Sequence, residues 1–207
     1  MLQDAIDEYS QALKKGLKES RELSAAGKRA HPLVLDEILP ENYPGVVQDI
    51  GLLEIPSERI IGTKTAGRVS AFSPSFRPLL EPKTEFANKW INLCVSHLGD
   101  TGILDPIVCY EYLGNFYVQE GNKRVSVLRH FDSPRIPGIV KRVVPPQSDE
   151  PRIRAYYEFL DFFKITRLYT IQFRRPGDYA RLLSLLGKKA DEVWVEEERR
   201  NFNAYYH

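Results

Sequence analysis

The chain is poor in the residues that build covalent or metal frameworks. Two cysteines, Cys94 and Cys109, stand among 207 residues. There is no Cys-x-x-Cys pair and no histidine at ligand spacing, which argues against a zinc site and a disulfide scaffold; both thiols read as core residues. Neither charge is in excess, because 29 Lys and Arg face 28 Asp and Glu for a formal net charge of +1. That balance does not suit a protein that coats a polyanion, so any phosphate recognition has to be local. No apolar run approaches the ~20 residues that span a bilayer, and the acidic start lacks the pattern of a signal peptide. The expectation is a cytoplasmic chain without a membrane partner. The four histidines, His31, His97, His130 and His207, have no Ser or Cys partner at a motif spacing, so no hydrolase triad is indicated. Repeats and low-complexity tracts are absent as well.

What is present is ordinary globular material, 43% hydrophobic and 28% charged. Leu2 to Ala26 carries Ile6, Tyr9, Leu13, Leu17 and Leu23 at roughly helical spacing and predicts an amphipathic helix, ended by Gly27 and Pro32. A short apolar stretch, Leu33 to Leu39, is closed by Pro40. Gly51 to Pro56 predicts a strand, and Gly62 to Arg77 a loop. Helical periodicity returns from Glu85 to Leu98 and stops at Gly99 and Gly102. Ile107 to Tyr112 and Phe116 to Gln119, around Leu113-Gly114-Asn115, predict a β-hairpin. A helix from Lys123 to Phe131 and a strand from Ile136 to Val144 follow. After the break Pro145 to Pro151 come a helix (Arg152 to Lys164), a strand (Arg167 to Phe173), a helix (Asp178 to Leu186) and a charged helix (Val193 to Tyr206). The aromatics Tyr156, Tyr157, Phe159, Phe162 and Phe163 read as core, and the Glu196 to Arg200 run as a solvated helix face matched to its dipole.

The segment with the most chemistry is Glu120-Gly121-Asn122-Lys123-Arg124. A strand ends there, Gly121 lets the backbone turn, and Asn122 stands where an N-cap belongs. The first free N–H groups of the helix then face outward beside two cations, which is how proteins bind phosphate. Arg124 offers a bidentate fork and Lys123 a point charge. The loop Thr63 to Ser70, with Phe72, Phe76 and Arg77 after it, supplies Lys64, Arg68 and Arg77 as a second cationic wall that could close over the turn. Glu120 can hold a metal ion or activate a hydroxyl, or it can tie down Arg124; Glu54 and Glu58 are the other carboxylates expected near the turn. Arg174-Arg175-Pro176-Gly177 is a weaker anion candidate.

His97-Leu98-Gly99-Asp100-Thr101-Gly102-Ile103-Leu104-Asp105-Pro106-Ile107-Val108, followed by Glu120 to Arg124, resembles the N-terminal domain of ParB partition proteins. In that family a helix runs into a Gly-apolar-x-Pro-Ile-x-Val strand, a hairpin and a Gly-x-x-Arg turn at a helix start. The resemblance covers about Gly51 to Val144 and extends to the ParB-like region of certain Firmicute proteins. Some of those continue into a periplasmic-binding-like domain, so this chain could be a piece of a longer protein. Within the superfamily, sulfiredoxins carry a Gly-Gly-Cys-His-Arg turn; Asn122 and Lys123 occupy its Cys and His positions, so that chemistry is not implied. ParB proteins carry Gly-Glu-Arg-Arg, linked to CTP phosphates; Gly121 and Arg124 match, and Asn122 replaces the acidic residue, a departure that counts against nucleotide hydrolysis and is compatible with phosphate binding. The ADP-dependent serine kinases carry Asp-Gly-His-His-Arg, whose histidines are absent here.

The resemblance implies an α+β fold: a ParB/sulfiredoxin-like core of a small mixed sheet with helices over 51–144, an N-terminal helical arm over 1–50 and a mostly helical extension over 145–207. The expected function is regulatory binding of a nucleotide or of DNA phosphate at Gly121, Asn122, Lys123 and Arg124, closed by Lys64, Arg68 and Arg77. A nucleotide with Mg2+ is the cofactor this admits. The alternatives are a nucleotide-dependent phosphotransferase or NTPase using Glu120, and a homodimerising interaction module with no ligand. A DNA partner lacks a helix-turn-helix in the last third.

Overall fold

A computed structural model describes residues 1–39, 41–100 and 102–205. Pro40, Thr101, Tyr206 and His207, each named in the predictions above, lie outside them. The chain forms two compact units: residues 1–43 with 47–143, and residues 44–46 with the described part of 144–207. The architecture is mixed α+β, with a six-stranded mixed sheet and seven α-helices among the described residues. None of these helices is long and apolar enough to cross a membrane.

The sheet runs in the order β1 (Leu33–Val34), β3 (Ile60–Thr63), β5 (Asn115–Glu120), β4 (Ile107–Tyr112), β6 (Arg135–Val144) and β2 (Val46–Pro56). β1, β3 and β5 are mutually parallel, β4 and β5 form the antiparallel hairpin, and β6 lies parallel to β4. The hairpin turn places Leu113 at φ 49° and Gly114 at φ 80°, the double left-handed turn that matches the twist of its strands. Along β4, burial alternates, so Ile107, Cys109 and Glu111 point into the core. Glu111 and Arg142 of β6 form a buried ion pair at 2.6 Å, and Glu111 also accepts from the Gly114 amide at 2.6 Å. A buried charge needs both satisfactions to be tolerated.

Helices α1 (Leu2–Ala25), α3 (Glu85–Leu98) and α4 (Asn122–His130) pack in sequence, α1 on α3 and α3 on α4. The N-terminal helix therefore finds its partner within its own unit. Its buried stripe is Ala5, Tyr9, Ala12, Leu13 and Gly16, with small residues where large ones were expected; Ile6 is exposed. Close approach is the reason. A Cβ at Gly16 would meet the Pro78 carbonyl oxygen at 2.5 Å. Thr84 caps α3 by accepting from the Ala87 amide at 3.1 Å. Trp90 of α3 joins the three helices, edge-on to Tyr9 at 5.3 Å and donating to Ser126 of α4 at 2.9 Å.

In the second unit α5 (Pro151–Thr166) carries Tyr156, Phe159, Phe162 and Phe163 into a cluster with Tyr169, Tyr179 and Trp194. Tyr179 belongs to α6 (Asp178–Leu185), and α7 (Glu196–Tyr205) adds Phe202. The strand predicted from Arg167 to Phe173 does not form. Arg167 ends α5 in the left-handed conformation at φ 58°, and Leu168, Tyr169 and Ile171 are buried from an irregular segment. Its apolar residues serve ring packing, which fixes side chains without a ladder. The apolar stretch before Pro40 splits into β1 and the short helix α2 (Leu35–Ile38), and the loop predicted from Gly62 contains the end of β3 and a single 3-10 turn, Val69–Ala71.

Candidate functional site

The junction of β5 and α4 departs from expectation by one residue. Gly121, at φ 101° and ψ 19°, is the N-cap, and Asn122 opens the helix. Only glycine fits here. A Cβ would stand 2.7 Å from Ile107 Cγ2 and 3.2 Å from Arg124 Nε, in a backbone region that L-residues avoid. Helical bonding begins with the Val125 amide donating to the Gly121 carbonyl at 3.0 Å. Among the described residues, the amides of Asn122, Lys123 and Arg124 donate to no backbone carbonyl, so the positive end of the helix is uncovered. Asn122 does not cap. Its Oδ1 is buried without a protein partner, and turning the side-chain amide would exchange that acceptor for a donor.

In front of the turn lies a cleft of about 530 Å³, lined by Asn122, Lys123, Arg124 and Glu120 on one side and by Arg68 and Thr65 on the other. A smaller recess of about 250 Å³ adjoins it, lined in part by the same Arg68 and Lys123 and extending to Lys89 and Glu85 of α3. Phe72 and Phe86 give the main cleft an apolar wall, and the Lys123 ammonium sits 5.0 Å from the Phe86 ring centroid. Burial holds the Lys123 ammonium below the usual lysine range, and Arg68 and Lys89 push in the same direction, with Glu85 opposing them. Glu85 is itself bonded to Lys89 at 2.5 Å, and its carboxyl is lowered chiefly by that lysine. Neither Arg68 nor Lys123 has a carboxylate within ion-pair distance among the described residues. Two cations thus share a cleft with an open helix N-terminus and make no ion pair among the described residues.

The remaining expected residues are distributed differently. Arg124 lines the cleft, yet its Nη1 donates to the carbonyls of Asp105 and Pro106 at 3.0 and 2.5 Å. Its first role is to fasten the loop before β4 to the helix. Lys64 turns away and pairs with Asp36 of α2. Arg77 pairs with Glu19 at 3.6 Å and lines another cleft altogether. Of the three loop cations, Arg68 alone is brought to the turn, because the other two find carboxylates on the N-terminal helices. Glu120 is exposed at the cleft and makes no ion pair with Arg124 among the described residues. Glu58 lines the same distant cleft as Arg77, and Glu54 is exposed on β2.

At the weaker candidate, the Gly177 amide at the start of α6 donates to both oxygens of Glu158, at 2.7 and 2.9 Å. An internal carboxylate already serves that helix end. Burial raises the Cys109 thiol to about 12 and the Cys94 thiol to about 11, which leaves neither as a nucleophile at neutral pH. No group of three His, Cys, Asp or Glu among the described residues is placed to hold a metal ion. Sequence reasoning missed Lys89 and Glu85, which sit one helical turn apart on α3 and whose nearness to Lys123 no local pattern announces. Compared with protein-family models and with curated proteins, the chain matches none.

Proposed function

We propose that the chain is a ParB/sulfiredoxin-like module that binds a phosphate-bearing ligand, a nucleotide or a nucleic-acid backbone, at the β5–α4 turn and acts as a regulator. The observation that carries this reading is the pair Arg68 and Lys123, two cations with no ion pair among the described residues that line the cleft before an open helix N-terminus. An oxyanion between them would accept from the free amides and offset the burial, and after it the repulsion from Arg68 and Lys89, that lower Lys123. The cleft volume of about 530 Å³ lies in the range of small-molecule sites, and its Phe72 and Phe86 wall suits a base or sugar face. The resemblance of the Gly-x-x-Arg turn supports the same assignment. Nearly neutral overall charge favours a small nucleotide over extended DNA contact.

The test is thermal melting against a panel of nucleotides, with and without Mg2+, since a ligand that binds only the native state raises Tm by mass action. Lys123→Met and Arg68→Ala are the informative variants, because Arg124→Ala would also loosen the Asp105–Pro106 loop. A nucleotide-dependent rise in wild type that is lost in both variants is expected. No rise with any nucleotide would overturn the nucleotide assignment. Glu120, exposed at the same cleft, gives the enzymatic alternative its one specific support; it requires turnover that disappears in Glu120→Gln while binding is kept.

A further inference from the structure

The C-terminal end of α4 opens on a different cleft, of about 710 Å³, that includes Arg129, Arg77, His31, Glu58 and Asp132 in its lining. One helix thus has its first turn in the phosphate cleft and its last turn here, with Lys123 and Arg129 about 9 Å apart along its axis at the helical rise of 1.5 Å per residue. Arg129 is the unusual group. Its Nη2 donates to the carbonyls of Ser57 and Ile60, its Nε to Ser57 Oγ at 3.3 Å, and its guanidinium lies 5.3 Å from the Phe76 ring centroid. Every acceptor is neutral, and no carboxylate among the described residues comes within ion-pair distance. Burial pushes its pKa down to about 10, against a weaker upward pull from Glu58 and Glu19. Nη1 makes no hydrogen bond to the described residues.

Arg77 comes to the cleft on a strained turn. Phe76 is fully buried at φ 63°, a conformation aromatic residues rarely adopt and that persists only where the surroundings impose it. Here Glu19 of α1 imposes it: its carboxylate accepts from Ser73 Oγ at 2.8 Å, Ser75 Oγ at 2.6 Å and the Ser75 amide at 3.3 Å. With Glu19 so engaged, Arg77 is left loosely paired at 3.6 Å and partly exposed. His31 completes the donor and acceptor set. Its Nδ1 lies 3.0 Å from the Phe72 carbonyl, which can only accept, so in the neutral ring Nδ1 carries the hydrogen and Nε2 is the acceptor. Arg29 is already committed to Glu37 at 2.9 Å.

We infer that this cleft is a second ligand site, for a small molecule that carries one oxyanion, carboxylate or phosphate, together with hydroxyl groups. The oxyanion meets Arg129 Nη1 and Arg77, and the hydroxyls donate to Glu58, Asp132 or His31. Those same carboxylates repel a polyanion, which separates this site chemically from the turn.

The test is an NMR titration of the full chain with lactate and with glycerol 3-phosphate, read on the His31 ring nitrogens and the Arg77 and Arg129 Nε–H signals. A saturable shift with either probe is expected, and the one that binds tells carboxylate from phosphate. Arg77→Ala should weaken that binding about tenfold or more, the loss of a charge-assisted hydrogen bond. Ser133→Trp, which fills the lining, should abolish it, and Lys123→Met at the other end of α4 should leave it unchanged. Failure of both probes to shift these signals, or an affinity indifferent to Arg77→Ala and Ser133→Trp, would overturn the site. Loss in Lys123→Met would assign the binding to the turn and likewise overturn it.

Discussion

Substituting Gly121 by alanine perturbs the turn at its most constrained atom, and the structure supplies a control for the two costs involved. The first cost is conformational: an alanine at φ 101° loses about 1–2 kcal/mol in the left-handed region; the stiffer unfolded chain offsets a part of this equally at any Gly→Ala site. The second is steric. The new Cβ would stand 2.7 Å from Ile107 Cγ2, and Ile107 cannot retreat, because it is fully buried and already fills the space that Gly138 leaves, where a Cβ would come 3.1 Å from Ile107 Cγ1. Overpacking of that kind costs about 1–3 kcal/mol. Gly27, at φ 65° with nothing within 4 Å of its Cβ position, carries the first cost alone. Gly121→Ala is therefore expected to destabilise the first unit by about 2–5 kcal/mol and Gly27→Ala by about 1–2 kcal/mol. Urea unfolding followed by Trp90 fluorescence, in a Trp194→Phe background that silences the second unit, measures both. Equal losses in the two variants would refute the steric argument and with it the claim that glycine is obligatory at the turn.

Three further outcomes are expected. Arg124→Ala should cost about 1.5–3 kcal/mol, as hydrogen bonds from a charged donor do, whereas Lys123→Met should leave unliganded stability unchanged or raised, since it removes a partly buried cation that Arg68 also repels; the same urea assay separates them, and the reverse order would mean that Lys123 is the brace. Glu111→Leu should destabilise by about 3–5 kcal/mol by removing the carboxylate buried against the Arg142 guanidinium, and the double variant Glu111→Leu/Arg142→Met should recover much of that loss. Because the Cys109 thiol is raised from 9.0 to about 12 by burial and then by Glu111, its neutral form is favoured by folding. Its contribution is full below pH 9 and is lost as pH rises toward 12, so iodoacetamide at pH 8 should label Cys109 only in denaturant; rapid native labelling would contradict its burial.

Local chemistry made part of this molecule legible in advance. The span Glu85 to Leu98 and its stop at Gly99 were readable because helical periodicity and the residue that ends it are local to the helix they delimit. The hairpin around Leu113 and Gly114, and the need for glycine at position 121, follow from backbone sterics that a few neighbouring residues impose. The aromatic content of α5 likewise announced a core helix. Position in the sheet was not legible: β1 pairs with β3 across some thirty residues, and β2 runs from Val46 to Pro56 although only Gly51 onward reads as strand. Segment 167–173 has strand composition and forms none, since a ladder needs a neighbour that the composition does not supply.

The candidate site divides in the same way. Amino-acid order alone determined that a strand, a glycine and a helix start coincide beside Lys123 and Arg124, because that coincidence is contiguous in the chain. Which cations stay free was a matter of tertiary structure. Lys64 met Asp36, Arg77 met Glu19, Arg124 met the carbonyls of Asp105 and Pro106, and of the three loop cations Arg68 alone reached the turn, with no ion pair among the described residues. An ion pair depends on a few ångströms of separation between side chains tens of residues apart, and only the folded chain sets that distance.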